Sequence, residues 1–262
     1  MSYMKHLIYL LLLWSLPIVS QESMVPTLVK KTNLDIETFV GIDHFESIYY
    51  IQNNVFHKTT PSKTINYNNL QLGNLTSANI FNPLKINLFY KDFNTVVILD
   101  NRLAEIFKID FNTLSEYKNV THVSMGHDNT LWLFNQDTQQ LELYDYKTNT
   151  SRAKTLPIQT EVLALKSNYN TCWMLTKSYL YVYNYFGSLL RKIKNDGYTE
   201  FFEDNNNIIF KKGHQLLYLE HGTETLAPIE TPNLLINQFF VNNETLYIYD
   251  SKFLYTYRLK TN

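Results

Sequence analysis

The feature that most constrains this chain is a pair of short strand-like runs that returns six times. Ser47-Ile48-Tyr49-Tyr50-Ile51 is followed, across a polar gap, by Val55-Phe56-His57. The same arrangement recurs at Val96 to Leu99 with Ala104 to Ile109, Leu131 to Phe134 with Leu141 to Tyr144, and Trp173 to Leu175 with Tyr179 to Tyr183. It returns again at Ile208 to Phe210 with Leu216 to Leu219, and at Leu246 to Tyr249 with Phe253 to Tyr257. Taking Tyr49, Val97, Trp132, Trp173, Ile209 and Tyr247 as equivalent points, the spacings are 48, 35, 41, 36 and 38 residues. A period of about 40 outranks local propensity in deciding a fold, because one such unit cannot bury its apolar face alone and must stack on its neighbours.

Two-helix repeats share this period, so the residue pattern within each unit has to decide. Helices would place apolar residues at three- and four-residue steps. Gln140-Leu141-Glu142-Leu143-Tyr144-Asp145 instead alternates, and Tyr179 to Tyr183 is aromatic and β-branched. The 20 Tyr and 16 Phe of the chain suit half-buried pleated surfaces better than helix surfaces. Upstream of most pairs lies an apolar run: Phe39 to Ile42, Ile86 to Tyr90, Val120 to Met125, Val162 to Leu165 and Leu234 to Val241. Downstream lies a more polar one, such as Thr64 to Tyr67, Ser151 to Leu156 or Thr225 to Ile229. Asn53-Asn54, Asp128-Asn129, Asp204 to Asn207 and Asn242-Asn243 supply turn chemistry in the gaps. Four strands per unit, apolar inside and polar outermost, predict an all-β fold: a single β-propeller of about six four-stranded blades. Trp132 and Trp173, at equivalent points of adjacent units, are expected in the core.

The sixth unit runs out of chain before an outermost strand. Thr27 to Lys31, with strand-like Leu28 and Val29, is expected to supply it by pairing beside Phe253 to Tyr257, so that an N-terminal strand closes the ring. Pro26 at the strand start and Lys30 and Lys31 beyond it suit an outer edge that must avoid further pairing.

Residues 1–20 have the organisation of a secretory signal. Lys5 and His6 precede the apolar Leu7 to Leu16, Pro17 interrupts it, and Ile18-Val19-Ser20 ends on a small residue, which predicts cleavage before Gln21 and a propeller domain over residues 21–262. Ten apolar residues are too few to span a bilayer, which takes about 20. Without Lys5 the mature net charge is −2, so there is no electrostatic case for nucleic acid or anionic membrane as a partner. Cys172 is the single cysteine and has no pairing partner within the chain. Its apolar surroundings, Thr171-Cys172-Trp173-Met174-Leu175, predict a buried, inert thiol.

Catalytic and metal motifs are not found. His122 and His127, and His214 and His221, have no Cys or carboxylate companions at ligand spacing. Phe186-Gly187-Ser188-Leu189 lacks the second glycine of a nucleophile elbow, and 7 Gly in the whole chain leave no phosphate-cradling loop. Asp204-Asn205-Asn206-Asn207 has no spaced series of calcium ligands and reads as a hairpin turn. No cofactor or metal is expected. Asn-x-Ser/Thr sequons stand at Asn74, Asn119 and Asn243.

Asp128-Asn129-Thr130-Leu131-Trp132-Leu133-Phe134 with Gln140 to Asp145 resembles the repeat unit of two-component-regulator propellers, a likeness that speaks to fold. Phe81-Asn82-Pro83-Leu84-Lys85, Leu88 to Val97, Tyr185-Phe186-Gly187-Ser188-Leu189-Leu190 and Leu246-Tyr247-Ile248-Tyr249, together with the N-terminal signal, resemble an uncharacterised family of exported propeller proteins from flavobacteria and relatives. That resemblance implies a Gram-negative envelope or periplasmic location and carries no activity with it.

In a propeller the loops joining second to third strands gather on one face. Asn53, Asp100, Arg102, Asn135, Asp137, Lys177, Lys212, His214, Asp250 and Lys252 are therefore expected to ring one mouth and form a candidate binding surface. The leading expectation is a non-catalytic scaffold that docks a protein or other envelope component there. The alternatives are an enzyme or carbohydrate- or small-ligand-binding propeller with its site in the central channel, and a structural or sensory module of a membrane complex.

Overall fold

In the computed structural model, residues 23–232 and 234–259 are described; the expected signal peptide, residues 1–20, lies outside the described residues. Strand β1 (Thr27–Asn33) is followed by five complete blades. Blade 1 is β2 (Thr38–Ile42), β3 (Ile48–Gln52), β4 (Val55–Thr59) and β5 (Thr64–Tyr67). Blade 2 is β6 (Ser77–Asn79), β7 (Ile86–Tyr90), β8 (Thr95–Leu99) and β9 (Glu105–Asp110), and blade 3 is β10 (Val120–Met125), β11 (Thr130–Asn135), β12 (Gln140–Asp145) and β13 (Thr150–Lys154). Blade 4 is β14 (Val162–Ser167), β15 (Thr171–Thr176), β16 (Tyr179–Asn184) and β17 (Leu189–Lys194), and blade 5 is β18 (Glu200–Asp204), β19 (Asn207–Lys212), β20 (Gln215–Leu219) and β21 (Leu226–Ile229). The last blade orders β22 (Gln238–Asn242), β23 (Thr245–Tyr249), β24 (Phe253–Arg258) and then β1. The fold is a six-bladed β-propeller, and the N-terminal strand closes its ring.

The grading across each blade follows from what each strand faces. Second and third strands are pressed between neighbouring blades on both sides, so β7, β8 and β11 are buried along their whole length and read as unbroken apolar runs. Outer strands have one face in water and alternate, as in β13 and β5. Trp132 and Trp173 are 1% and 3% exposed and belong to successive inter-blade clusters, one with Cys172 and Met174 and the next with Phe201 and Phe210. Hairpin tips use residues that tolerate positive φ: Asn53-Asn54 and Asn205-Asn206 both do so in two-residue turns that match strand twist.

Blade 2 departs from the sequence expectation by one strand. Ile86–Tyr90 is its second strand and not its first, and the inner strand is the three-residue β6, which contains no large apolar side chain. Leu88, paired with Val97 across the blade, is therefore the equivalent of Tyr49 and Trp132. Replacing Val97 by Leu88 changes the first two spacings from 48 and 35 to 39 and 44, a more even series.

Closure is a double seam. β1 pairs antiparallel with β24 from Thr27 opposite Arg258 to Asn33 opposite Phe253. Just before it, the Met24 amide donates to the Pro228 carbonyl at 2.9 Å and the Glu230 amide donates to the Met24 carbonyl at 2.8 Å, which ties the same segment to blade 5. Leu28 and Val29 are 52% and 62% exposed, so pairing of the backbone, and not burial of these two side chains, holds the strand.

Candidate functional site

The six inner strands surround a central channel. Strands alternate in direction within each blade, so second-to-third hairpins and blade-to-blade connections lie on one face, here called upper. First-to-second and third-to-fourth hairpins lie on the lower face.

Eight of the ten residues expected at one mouth are on the upper face: Asn53, Asn135, Asp137, Lys177, Lys212, His214, Asp250 and Lys252. Asp100 and Arg102 are on the lower face, because the loop that carries them joins the third and fourth strands of blade 2 and not the second and third. The upper-face residues are largely engaged in their own turns. Asp250 accepts from the Lys252 and Phe253 amides at 2.9 and 2.6 Å, and Asn135 accepts from the Asp137 amide at 3.2 Å. Lys177 pairs with Glu161 at 2.5 Å and Lys212 with Asp196 at 2.6 Å. Asp100 likewise accepts from the Arg102 and Ala104 amides, both at 2.8 Å. These bonds lie within one turn or between adjacent loops of one blade; they do not converge on a shared point.

The channel holds two chambers. The upper one, about 550 Å³, is walled by β6, β10, β14 and the start of β18, with Lys91 and Thr76 at its edge. The lower one, about 480 Å³, opens through the lower face between hairpins that carry His44, Phe81, Tyr169, Asn206 and Asn243. Lys166 bounds both, with Ala78 and Asn79. Inner-strand bulges at Phe39/Gly41, Val120/His122 and Val162/Ala164 set which side chains face the axis. At the lower end, blades 2 and 4 reach across blade 3. Asn79 Nδ2 donates to Ser124 Oγ at 3.0 Å, Ser167 Oγ donates to the same oxygen at 2.7 Å, and the rings of Phe81 and Tyr169 meet edge to face at 4.9 Å.

From that meeting point an aromatic band runs over the lower face. Tyr169 packs on His127 at 6.1 Å, His127 on Tyr185 at 5.5 Å, and Tyr185 on Phe186 at 5.7 Å. Phe186 is 79% exposed and Phe81 and Tyr169 are 42% and 43% exposed. Arg152 borders the band: Nη1 donates to Tyr185 Oη at 3.2 Å, while Nε and Nη2 donate to Asp145 Oδ2 at 3.0 and 2.5 Å. The hairpin tip is fixed from beneath, since Asn184 Oδ1 accepts from the Phe186 and Ser188 amides at 3.0 and 2.9 Å. The sequence carries a signal for this surface: Phe81 and Phe186 occupy turns, where Asn, Asp, Gly and Ser normally prevail.

Electrostatics single out the channel. Burial, aided by the Lys91 charge, brings His122 down to about 4, so its imidazole is neutral near pH 7. Burial also lowers Lys166 and raises Glu200, which attract one another across the upper chamber. Burial raises Glu203 at the lower end. His122 and His127, considered together in the sequence, are apart: the first lines the upper chamber and the second lies in the band. Among the described residues no three His, Cys, Asp or Glu side chains gather as a metal site, and no helix is long and apolar enough to cross a membrane. Cys172 is buried, and burial pushes its thiol well above the usual range.

Comparison with solved structures places this geometry among propellers. A catalytically inactive variant of virginiamycin B lyase from Staphylococcus aureus with quinupristin aligns at a TM-score of 0.59 and 10% identity, covering 94% of this chain and 98% of that one. A chain of a mitotic checkpoint complex aligns at 0.61 and 9% identity, covering 94% and 95%. The WD40 domain of Pan2 from Neurospora crassa aligns at 0.55 and 9%, covering 88% and 75%. No family model matches the chain and no curated protein matches it. The shared property is the β-propeller repeat architecture, found in a lyase and in a chain of a protein complex alike.

Proposed function

We propose that the protein is a non-catalytic docking propeller of the cell envelope that seats a protein partner on its lower face. The observation that carries this reading is the continuous band Phe81, Tyr169, His127, Tyr185 and Phe186, built from three blades and bordered by Arg152. Contiguous exposed apolar surface on a soluble domain marks an interaction site, and aromatic residues and Arg dominate interface hot spots. Asp145 holds the guanidinium and Asn184 holds the Phe186 turn, so a partner meets a preorganised surface and less side-chain freedom is lost on docking. The upper face also exposes Leu70, Leu156 and Leu235, which sit in three separate blade-to-blade connections.

The non-catalytic part of the reading is supported by the state of the reactive groups. His122 Nδ1 bonds to the neighbouring Thr121 hydroxyl at 3.1 Å, and Cys172 is held as a buried thiol. Export is supported by the basic and apolar order of residues 1–20, and an intact mass beginning at Gln21 is expected for the exported protein.

Affinity capture from envelope extracts tests the docking surface. The wild-type chain and a variant with Lys177→Ala and His214→Ala on the upper face should recover the same partner. Phe186→Ser combined with Tyr169→Ser should lose it with an unchanged melting temperature, because both side chains are exposed. Retention of the partner by the lower-face variant, or its loss on the upper-face changes, overturns the assignment.

A further inference from the structure

We propose that the upper chamber of the channel is a binding site for a small hydroxylated monocarboxylate of the sugar-acid class, with Lys166 as the carboxylate-binding group and the Ser77 and Thr199 hydroxyls as hydroxyl-binding ones. This site is separate from the docking surface and stands or falls independently of it.

The first ground is the company that lysines keep in this fold. Lys118, buried in blade 3, has a Glu142 oxygen at 2.8 Å, and Lys58, buried in blade 1, has the Asn101 carbonyl at 3.2 Å and Asp43 at 4.0 Å. Lys166 is part-buried on the channel wall and breaks the pattern. Among the described residues it makes no hydrogen bond and has no carboxylate within 4.0 Å; its ammonium sits 4.1 Å over the ring of Phe202. A partly desolvated cation with an aromatic face against it, and only the more distant Glu200 carboxylate attracting it, favours an incoming anion. The ionisable side chains that bound this chamber are Lys91, Lys166, Glu200 and His122, so two amines stand against one carboxylate.

The second ground is the set of hydroxyls on the same wall. Ser77, Thr121 and Thr199 line the chamber, and Phe89 gives one apolar wall. Its volume, about 550 Å³, is in the range of small-molecule sites. A monocarboxylate fits better than a phosphate because no Arg lines the chamber and the Glu200 carboxylate opposes a second negative charge.

Calorimetric titration of the full mature chain with sodium glucuronate, glucose and sodium acetate at fixed ionic strength tests the proposal. Glucuronate should bind at least about tenfold more tightly than either control, since glucose lacks the charge and acetate the hydroxyls. Lys166→Met should weaken glucuronate by at least about tenfold in a variant whose circular dichroism matches that of wild type. Lys166→Gln serves the same purpose if the Met variant does not fold. Ser77→Ala combined with Thr199→Val should weaken glucuronate and leave acetate unchanged. Absence of glucuronate binding, equal binding of glucose, or undiminished binding by both Lys166 variants would overturn the assignment.

Discussion

Removing the N-terminal strand should destabilise the whole ring, and the structure sets the size of the effect. A chain that starts at Leu34 loses the β1 to β24 ladder and the two bonds that tie Met24 to blade 5. Six residue pairs define the ladder, from Thr27 with Arg258 to Asn33 with Phe253. Taking roughly six ladder bonds and the two at Met24, at about 0.5–1 kcal/mol net each, the backbone contribution is about 4–8 kcal/mol. Leu28 and Val29 are exposed and add little, whereas Met24 packs against the apolar cluster of the last two blades and the Lys31 ammonium lies 4.0 Å over the ring of Phe253. For a domain of this size each kcal/mol moves the melting temperature by about 2–4 °C, so a fall of roughly 8–32 °C is expected. The truncation also uncovers β24 as a bare edge carrying Tyr255 and Tyr257, which favours association through that edge. Thermal unfolding followed by circular dichroism, with size-exclusion chromatography on the same samples, measures both effects. A synthetic peptide of residues 23–33 added in trans should restore part of the loss. An unchanged melting temperature would refute the reasoning, because it would mean that the ladder contributes nothing net.

The fold was legible because the repeat is written in strands that are buried on both faces. Second and third strands such as β11 and β16 must be apolar to separate one blade from the next, and their period survives in composition. Inner strands obey a different rule, since one of their faces looks into the channel. β6 reads Ser77-Ala78-Asn79 and β18 reads Glu200-Phe201-Phe202-Glu203-Asp204, and neither stands out as an apolar run. Missing β6 shifted every assignment in blade 2, and that shift put Asp100 and Arg102 on the wrong mouth. The N-terminal closure was legible for a different reason: the sixth unit lacked a strand, and an edge strand advertises itself through Pro and Lys.

The candidate site was far less legible. Turn residues such as Asp250 and Asn135 look like binding groups in a sequence, yet their polar atoms cap their own loops. The lower-face band depends on contacts between residues 81, 127, 169 and 185, which come from three blades and no local pattern joins. Lys166 shows the same limit. Its lack of a carboxylate partner is a property of six strands meeting around an axis.

Other perturbations test the core. Trp132→Ala and Trp173→Ala should each cost about 3–5 kcal/mol and lower the melting point sharply, as both rings fill inter-blade clusters; chemical denaturation measures the loss. The buried pair in blade 3 gives a sharper test, because its response to pH has a definite sign. Glu142 is fully buried and accepts from Lys118 Nζ at 2.8 Å, from Asn135 Nδ2 at 3.1 Å and from Ser151 Oγ. Burial works to raise its carboxyl, but these bonds, Lys118 foremost, bring it below the ordinary carboxylate value. Its contribution to stability is therefore present above the unfolded carboxylate value and is lost as pH falls through the lower folded value. Lys118→Ala strands the carboxylate and should cost about 3–5 kcal/mol at neutral pH, whereas Lys118→Met with Glu142→Leu should cost much less. In the single variant burial is opposed only by the Lys154 ammonium at 4.0 Å and by the Asn135 and Ser151 bonds, so the folded value rises and acidification costs the variant less than it costs wild type. The gap in melting temperature between wild type and Lys118→Ala should therefore narrow between about pH 7 and pH 4. A gap that stays constant over that range would show that Lys118 acts on this blade through packing and not through the charge of Glu142.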